Sequence, residues 1–211
     1  MALTKVRGGG VDNPLTLGGG AASDRSIIFD GNAQDFHIGL DDSADSLTIG
    51  LGSTLGTTSH MVIDANGHVT KPLQPSCLVR AAANSNFAID TTHTVNYTTE
   101  VYDQNGDFST ANNQFTAPVT GRYLIAQSLY YNNVVSNASY LSALIYTSNR
   151  SYVSIINPAT FDQDSAYHTL NISVVADLDA NDVVQSRYYQ AGGSATTDLV
   201  AETFLSVCLL A

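Results

Sequence analysis

Several residue types are scarce in this chain. It has no tryptophan and only two cysteines, two methionines and five prolines among 211 residues. Lysine and glutamate also occur twice each, at Lys5, Lys71, Glu100 and Glu202. Because lysine and glutamate are common in exposed helices, while tyrosine and β-branched residues are abundant here, the composition predicts an all-β protein. Charged residues make up only 13% of the chain, so we expect a surface built mainly from Ser, Thr, Asn and Gln.

Positive charge is scarce as well. The chain has 8 Lys and Arg against 19 Asp and Glu, a net charge of −11, so nucleic-acid binding through a basic face is not expected. No apolar run approaches the length of a membrane span, so we expect no membrane insertion. The first ten residues lack the apolar core of a secretory signal. We therefore expect a protein made in a cytoplasm that stays there or leaves inside an assembly.

Motifs for catalysis and metal binding are equally sparse. Two cysteines, Cys77 and Cys208, are too few for a disulfide framework or a cysteine-based zinc site. No Gly-x-Ser-x-Gly or His-Glu-x-x-His motif occurs, and neither Gly-Gly-Gly triplet is followed by the Gly-Lys-Ser/Thr of a phosphate loop. An acidic group between Asp30 and Asp45 could hold calcium, but its spacing favours turn formation. The sequence predicts no enzyme activity and no cofactor.

Residues 1–25 form a candidate docking arm. Glycine triplets alternate with isolated apolar residues, a pattern that cannot form its own core but differs from a plain flexible linker. We expect this arm to dock on another protein of the same assembly, or on other copies of this chain. Its candidate contact residues are Leu3, Val6, Val11, Leu15 and Leu17.

In residues 26–75 the alternation of short apolar runs and turn residues predicts a β-rich neck of short strands separated by turns. The Asn66-Gly67 pair between two apolar runs is the strongest hairpin signal in the chain. Strands of three to six residues make a poor core alone, and three copies around one axis could share one. Residues 71–75 contain two prolines and predict a stiff connector.

Residues 76–211 alternate strand patterns and turns without a helical period, which fits a two-sheet sandwich. In the predicted strand 121–131, Tyr123, Ile125, Gln127 and Leu129 share one face. Leu124, Ala126, Ser128 and Tyr130 share the other. Both faces are partly apolar, as expected where one packs the core and the other meets a neighbouring subunit.

A set of aromatic and turn residues recurs at fixed spacings in the same region. It consists of Tyr97, Asp103, Phe108, Phe115, Gly121 and Tyr123. This set resembles the signature of the complement globular-head family, a relative of the tumour-necrosis-factor fold. The resemblance covers residues 76–211 and implies a ten-stranded jelly roll that associates as a tight homotrimer. Ile125 and Gln127 depart from the family pattern, on a strand that we expect to face a partner subunit.

The resemblance also bears on the cysteines, because the family pairs its first and last strands side by side. Cys77 and Cys208 could then be close, although an origin in the cytoplasm favours two reduced, buried thiols. The resemblance implies the family's fold and homotrimeric assembly for this chain. It implies no catalytic or ligand-binding residue.

Tyrosine is the residue type that most suggests a binding surface. Eleven tyrosines occur, and tyrosine is enriched at protein interfaces because its rigid ring gains contact area at low entropic cost. A trimer interface and a ligand face for a host glycan or protein both remain open. The candidate partner-binding residues are Tyr130, Tyr131, Tyr188, Tyr189 and Arg150.

The arm and neck give the jelly-roll head its context. The phrases Ile38-Gly-Leu-Asp-Asp42 and Asp64-Ala-Asn-Gly-His68 resemble the shafts of phage tail-fibre proteins, and the first six residues resemble fibre N-termini. We therefore expect a bacteriophage virion protein exposed on the particle, namely a trimeric short tail fibre or spike whose head contacts the host surface. A capsid decoration protein anchored by its arm is the alternative. A secreted signalling ligand is disfavoured because no signal peptide is apparent.

Overall fold

The computed structural model describes residues 16–211, whose regular secondary structure is almost entirely β-strand. The chain divides into two compact units between Leu73 and Gln74. The only helical element in the described range is a 3-10 turn, Pro158–Thr160. The predicted all-β class is confirmed, whereas the assignment of arm, neck and head stays a prediction.

The first unit is an antiparallel sheet in which each strand pairs with the next along the chain. Its strands are β1 (Arg25–Phe29), β2 (Phe36–Asp41), β3 (Ser46–Leu51), β4 (Ser59–Ile63) and β5 (Val69–Thr70). The predicted Asn66-Gly67 turn joins β4 to β5, with Gly67 at a φ of +85°. The carboxylate of Asp64 accepts the backbone N–H groups of Asn66 and His68, which holds this turn.

The second unit is a sandwich of two antiparallel sheets. Its strands are β6 (Ser76–Ala81), β7 (Thr92–Thr94), β8 (Tyr97–Asp103), β9 (Phe108–Ser109), β10 (Gln114–Thr116), β11 (Gly121–Val134), β12 (Tyr140–Thr147), β13 (Ser151–Ile156), β14 (Ser165–Leu178), β15 (Val183–Ala191), β16 (Asp198–Leu199) and β17 (Phe204–Leu209). One sheet has the order β14-β11-β17-β6-β8, with β16 beside β11. The other has the order β13-β12-β15-β10-β9, with β7 beside β15. The jelly-roll sandwich is as predicted, and several of its strands are only two or three residues long.

Strand β11 has the predicted alternation of faces. Tyr123, Ile125 and Leu129 are fully buried between the sheets. Gln127 also points into the core, where its side-chain oxygen accepts a hydrogen bond of 2.5 Å from the Ser186 hydroxyl. The departures from the family pattern at Ile125 and Gln127 therefore lie on the core side of β11. The face that could meet a partner is the opposite one.

The aromatic residues of the signature form the centre of this core. Tyr97 meets Phe108 edge to face at 6.0 Å between ring centroids, and Phe115 meets Tyr123 in the same way at 5.8 Å. Phe108 and Phe115 are directly opposite each other on the paired strands β9 and β10. Edge-to-face contacts add to the stabilisation from burial itself, so the recurring spacing reflects core packing.

Two further signature positions support the turns around this cluster. The hydroxyl of Tyr123 donates to the backbone oxygen of Val119 at 2.7 Å and ties down the turn before β11. At Gly121, an added Cβ would lie 2.7 Å from the backbone oxygen of Ala211 and from the Leu209 side chain. Glycine is needed here because the end of the chain passes close to the backbone.

The two cysteines lie on neighbouring strands but on opposite sides of their sheet. In the pairing of β6 with β17, Cys77 is opposite Val207, and Cys208 is opposite Ser76. This offset of one residue directs the Cys77 side chain into the core and the Cys208 side chain outward. Both thiols are free, and Cys77 is buried as predicted, whereas Cys208 is only partly buried because it lies on the outward side of β17.

The turn after β8 yields a prediction about Asp103. Its carboxylate accepts the backbone N–H groups of Asp107 at 3.0 Å and Phe108 at 2.8 Å. We expect Asp103→Ala to lower the free energy of unfolding by about 1–3 kcal/mol, because both donors lose their acceptor. Asp103→Asn keeps one of the two acceptor oxygens and should lose less stability than Asp103→Ala in urea denaturation. Equal losses in the two variants would contradict this role.

Burial of Cys77 yields a second prediction. Burial, and then the nearby Asp103 carboxylate, raise the pKa of the Cys77 thiol to about 12. At pH 8 the reactive thiolate is then roughly 10⁻⁴ of the population. We expect a thiol reagent to leave Cys77 unmodified in the native protein and to modify it after unfolding, with Cys77→Ser identifying the signal. Modification of native Cys77 within minutes would be inconsistent with its place in the core.

Candidate functional site

The outer face of the β14-β11-β17-β6-β8 sheet is unusually apolar for an exposed surface. We call it the β11 face and define it by Leu78, Leu124, Tyr130, Tyr167, Val175 and Phe204. Leu124 is paired with Val175 on β14, and its side chain is 40% exposed. The rings of Tyr130 and Tyr167 lie 5.5 Å apart, with Tyr167 61% exposed.

Charged residues lie toward the margins of the β11 face. Arg122 and Asp177 are paired across β11 and β14 at one end, and Arg80 on β6 is paired with Phe204. The centre of the face carries aliphatic, aromatic and small hydroxyl side chains together with the exposed amide of Asn171, which is paired with Ser128. Exposed apolar side chains on neighbouring strands make this face a candidate interaction surface.

The outer face of the second sheet carries a shallow pocket of about 550 Å³. We call it the tyrosine platform, and its main lining residues are Tyr140, Ser142, Leu144, Val153, Ile155 and Tyr189. The rings of Tyr140 and Tyr189 are stacked, with centroids 5.6 Å apart and planes inclined by 27°. Thr92 and Asn157 add a hydroxyl and an amide to the lining.

Asp90 holds Tyr189 in place within the platform. Its carboxylate accepts the Tyr189 hydroxyl at 3.3 Å and the backbone N–H of Gly192 at 3.0 Å. Partial desolvation, and then the Asp90 charge, raise the pKa of Tyr189. The phenol therefore stays a hydrogen-bond donor well above neutral pH. The platform combines aromatic, aliphatic and polar groups, the mixture found in sites for small ligands and protein loops.

The structure does not bring the five predicted partner-binding residues together. Tyr130 lies on the β11 face and Tyr189 on the tyrosine platform. Arg150 is at the sandwich edge, in an exposed ion pair with Asp177 at 3.3 Å. Tyr131 and Tyr188 are buried in the core, with ring centroids 6.0 Å apart, so neither ring is available to a partner.

Sequence reasoning missed three residues of the outer sheet surface. Tyr140 stacks on Tyr189, and the Arg187 guanidinium lies 3.5 Å from the centre of the Tyr146 ring in a cation–π contact. Period-two alternation along β12 places Tyr140 and Tyr146 on one face. Their partners depend on the register between β12 and β15, which has no signal in the sequence.

The predicted arm lies mostly outside the described residues. This applies to Leu3, Val6, Val11 and Leu15. Leu17 is described, and half of its side chain is exposed.

The acidic residues considered for calcium act as turn formers. Asp41 accepts the Ser43 hydroxyl and the Ala44 N–H, and Asp35 accepts the N–H of Gly31. Within residues 16–211, no group of three or more His, Cys, Asp or Glu side chains is arranged to hold a metal ion. The same range contains no helix long and apolar enough to cross a membrane.

Comparison with solved structures identifies the fold of the second unit. The globular domain of the zebrafish complement 1qA protein matches with a TM-score of 0.51 and 17% identity, over 65% of this chain and 98% of that one. Murine APRIL matches with a TM-score of 0.49 and 15% identity, over 65% and 99%. Eiger TNF from S. frugiperda matches with 0.49 and 12%, over 65% and 94%. No protein-family model and no curated protein matches the sequence. The similarity to the complement domain is one of fold.

Proposed function

We propose that this chain is a bacteriophage virion protein, a homotrimeric short tail fibre or spike whose jelly-roll head contacts the host surface. The observation that carries the proposal is the exposed apolar β11 face on a head of the complement globular-head fold. The sequence resemblance to that family implies a homotrimer, and the resemblance of the N-terminal third to phage fibres implies a virion.

The β11 face is the surface that we assign to trimerisation. Its central strand β11 runs for 14 residues, and Leu124, Val175 and Phe204 project from three adjacent strands. The interior of an interface is depleted of charged residues and enriched in aromatic ones, and the centre of this face is uncharged, with apolar side chains beside small hydroxyl groups and the Asn171 amide. A closed trimer would cover this surface in every copy.

The tyrosine platform is the surface that we assign to host contact. It lies on the other sheet of the sandwich, so it can remain open when the β11 face is covered. Three copies in one trimer would give three equivalent sites. Weak individual binding then becomes strong attachment when the spacing of host receptors allows simultaneous contact.

A trimeric capsid decoration protein is the second candidate. The alternating glycine and apolar pattern of residues 1–25 favours it, because the same arm could grip a capsid shell. A fibre should compete with the phage for adsorption to host cells. A decoration protein should not compete, should be present in hundreds of copies per particle, and should raise capsid stability. Quantitative mass spectrometry of purified virions, together with an adsorption-competition assay, separates the two.

Trimerisation through the β11 face yields a prediction. We expect light scattering of the full chain to give three times the chain mass of 22.3 kDa. Leu124→Asp places three carboxylates in an apolar interface and should raise the concentration at which the trimer dissociates by about tenfold or more. The matched control is Val153→Asp, at a residue of similar exposure on the other sheet, which should leave assembly unchanged. A wild-type mass of one chain would overturn the trimer, and equal behaviour of both variants would overturn the assignment of this face.

Host contact through the tyrosine platform yields another prediction. We expect purified trimer to compete with phage adsorption, and Tyr140→Ala or Val153→Asp to weaken competition by about tenfold or more, as loss of an interface hot spot does. Val119→Asp is the control, because Val119 is as exposed as Val153 but lies on the turn before β11. Wild-type competition in all three variants would exclude the platform as the receptor surface.

A further inference from the structure

The sheet of the first unit has two unlike faces. Residues directly opposite each other on antiparallel strands share a face, and the register places Ile27, Ile38, Ile49 and Met61 in one row across four strands. We call this side the isoleucine face and define it by Ile27, Phe36, Ile38, Leu40, Leu47 and Ile49. Five of these six side chains are 38–46% exposed, and Ile38 is half-buried.

The opposite face is mostly polar, and loops of the same unit cover its middle, whereas Ile28 on the edge strand β1 is exposed there. His37 is buried, with its Nδ1 atom 2.9 Å from the backbone oxygen of Gly52. Asp41 is bonded to the loop that follows it, and the Thr48 hydroxyl donates to the backbone of Gly39. Gly50 allows the His37 ring to lie over the backbone, since an added Cβ would be 2.7 Å from that ring.

The first unit therefore lacks an apolar core of its own. All buried hydrophobic residues of the described chain lie between Cys77 and Val207, in the second unit. In residues 16–73 the fully buried side chains are polar, and the apolar ones face outward. A small sheet gains its stability mainly by burying one apolar face, so this arrangement needs a permanent cover.

We propose that the isoleucine face packs against the same face of two other copies of this chain, so that three sheets share one apolar core around the trimer axis. This inference rests on the proposed trimer and adds a second, separate interface to it. The shared core would supply the burial that one copy lacks, and closed symmetry would leave the isoleucine face of every copy covered.

The chemistry of the face favours identical copies over a foreign partner. Arg25 is the one charged residue in its rows, at the edge strand, and its guanidinium bonds to Ser23 and to the backbone of Asp24. The face therefore offers a single charge, at its edge, for an oppositely charged partner to match. It also needs its cover as soon as the sheet forms. Other copies joined through their heads are then present at an effective concentration of order millimolar.

The arm of the same chain is the competing occupant. Leu17, Arg25 and Ile27 line a hollow of about 300 Å³ on this face. An arm residue seated there would cover part of the face within one copy.

Thiol labelling of the full-length protein tests the inference. Ile27→Cys and Ile49→Cys place a thiol on the isoleucine face. Ile28→Cys is the matched control, because Ile28 is adjacent to Ile27, has nearly the same exposure and lies on the opposite face. We expect a maleimide to modify the introduced thiols of the first two variants at least tenfold more slowly than that of the control in the native trimer. Peptide mass spectrometry quantifies the modification at each site.

Each outcome is decisive when it is combined with the mass of the assembly. A trimer in which all three positions react equally overturns the shared core but leaves the proposed head trimer intact. A single-chain mass overturns both. If deletion of residues 1–15 leaves a trimer but abolishes the protection from maleimide, then the arm covers the isoleucine face and the inference is overturned. Protection that survives this deletion supports it.

Discussion

The strict alternation of side chains along β11 is the constraint on which the second unit depends. This strand pairs with β14 over most of its length, with β17 in its first half and with β16 near its end. Tyr123, Ile125 and Leu129 on one side anchor the aromatic core, while Leu124 and Tyr130 on the other are left in contact with solvent. A strand of period two cannot hide both sides within one sandwich. The outer side of β11, with Leu124 and Tyr130, is therefore the side on which we propose that a partner subunit packs.

The two units differ in how far each buries its own apolar side chains. The second unit has a complete core, in which Tyr97 packs edge to face on Phe108, and Phe115 packs in the same way on Tyr123. The apolar residues of its outer surface lie outside that core. The first unit has the reverse arrangement, with polar side chains enclosed by loops and apolar ones outside. In the shared core that we propose, these five strands would bury their apolar face against identical faces, which need no matched charges.

Much of the fold could be predicted from the sequence because its signals are local. The Asn66-Gly67 turn, the alternation of 121–131 and the spacing of the aromatic signature each concern residues close together in the chain, and the structure has them as expected. The candidate site was harder to predict. Tyr130 with Tyr131, and Tyr188 with Tyr189, are adjacent pairs on strands, so one member of each must point inward and the other outward. The pattern alone does not say which.

The amino-acid sequence by itself determined the all-β class and the two-sheet sandwich of the second unit, because composition and short-range periodicity are properties of the chain. The jelly roll was implied by the resemblance of the aromatic signature to the complement globular-head family. Only the tertiary structure decided that Tyr131 and Tyr188 lie in the core, that Tyr140 stacks on Tyr189, and that Cys77 and Cys208 point to opposite sides of one sheet. These facts depend on the register between strands that are far apart in the chain. A shift of one residue in that register exchanges every inward side chain for an outward one.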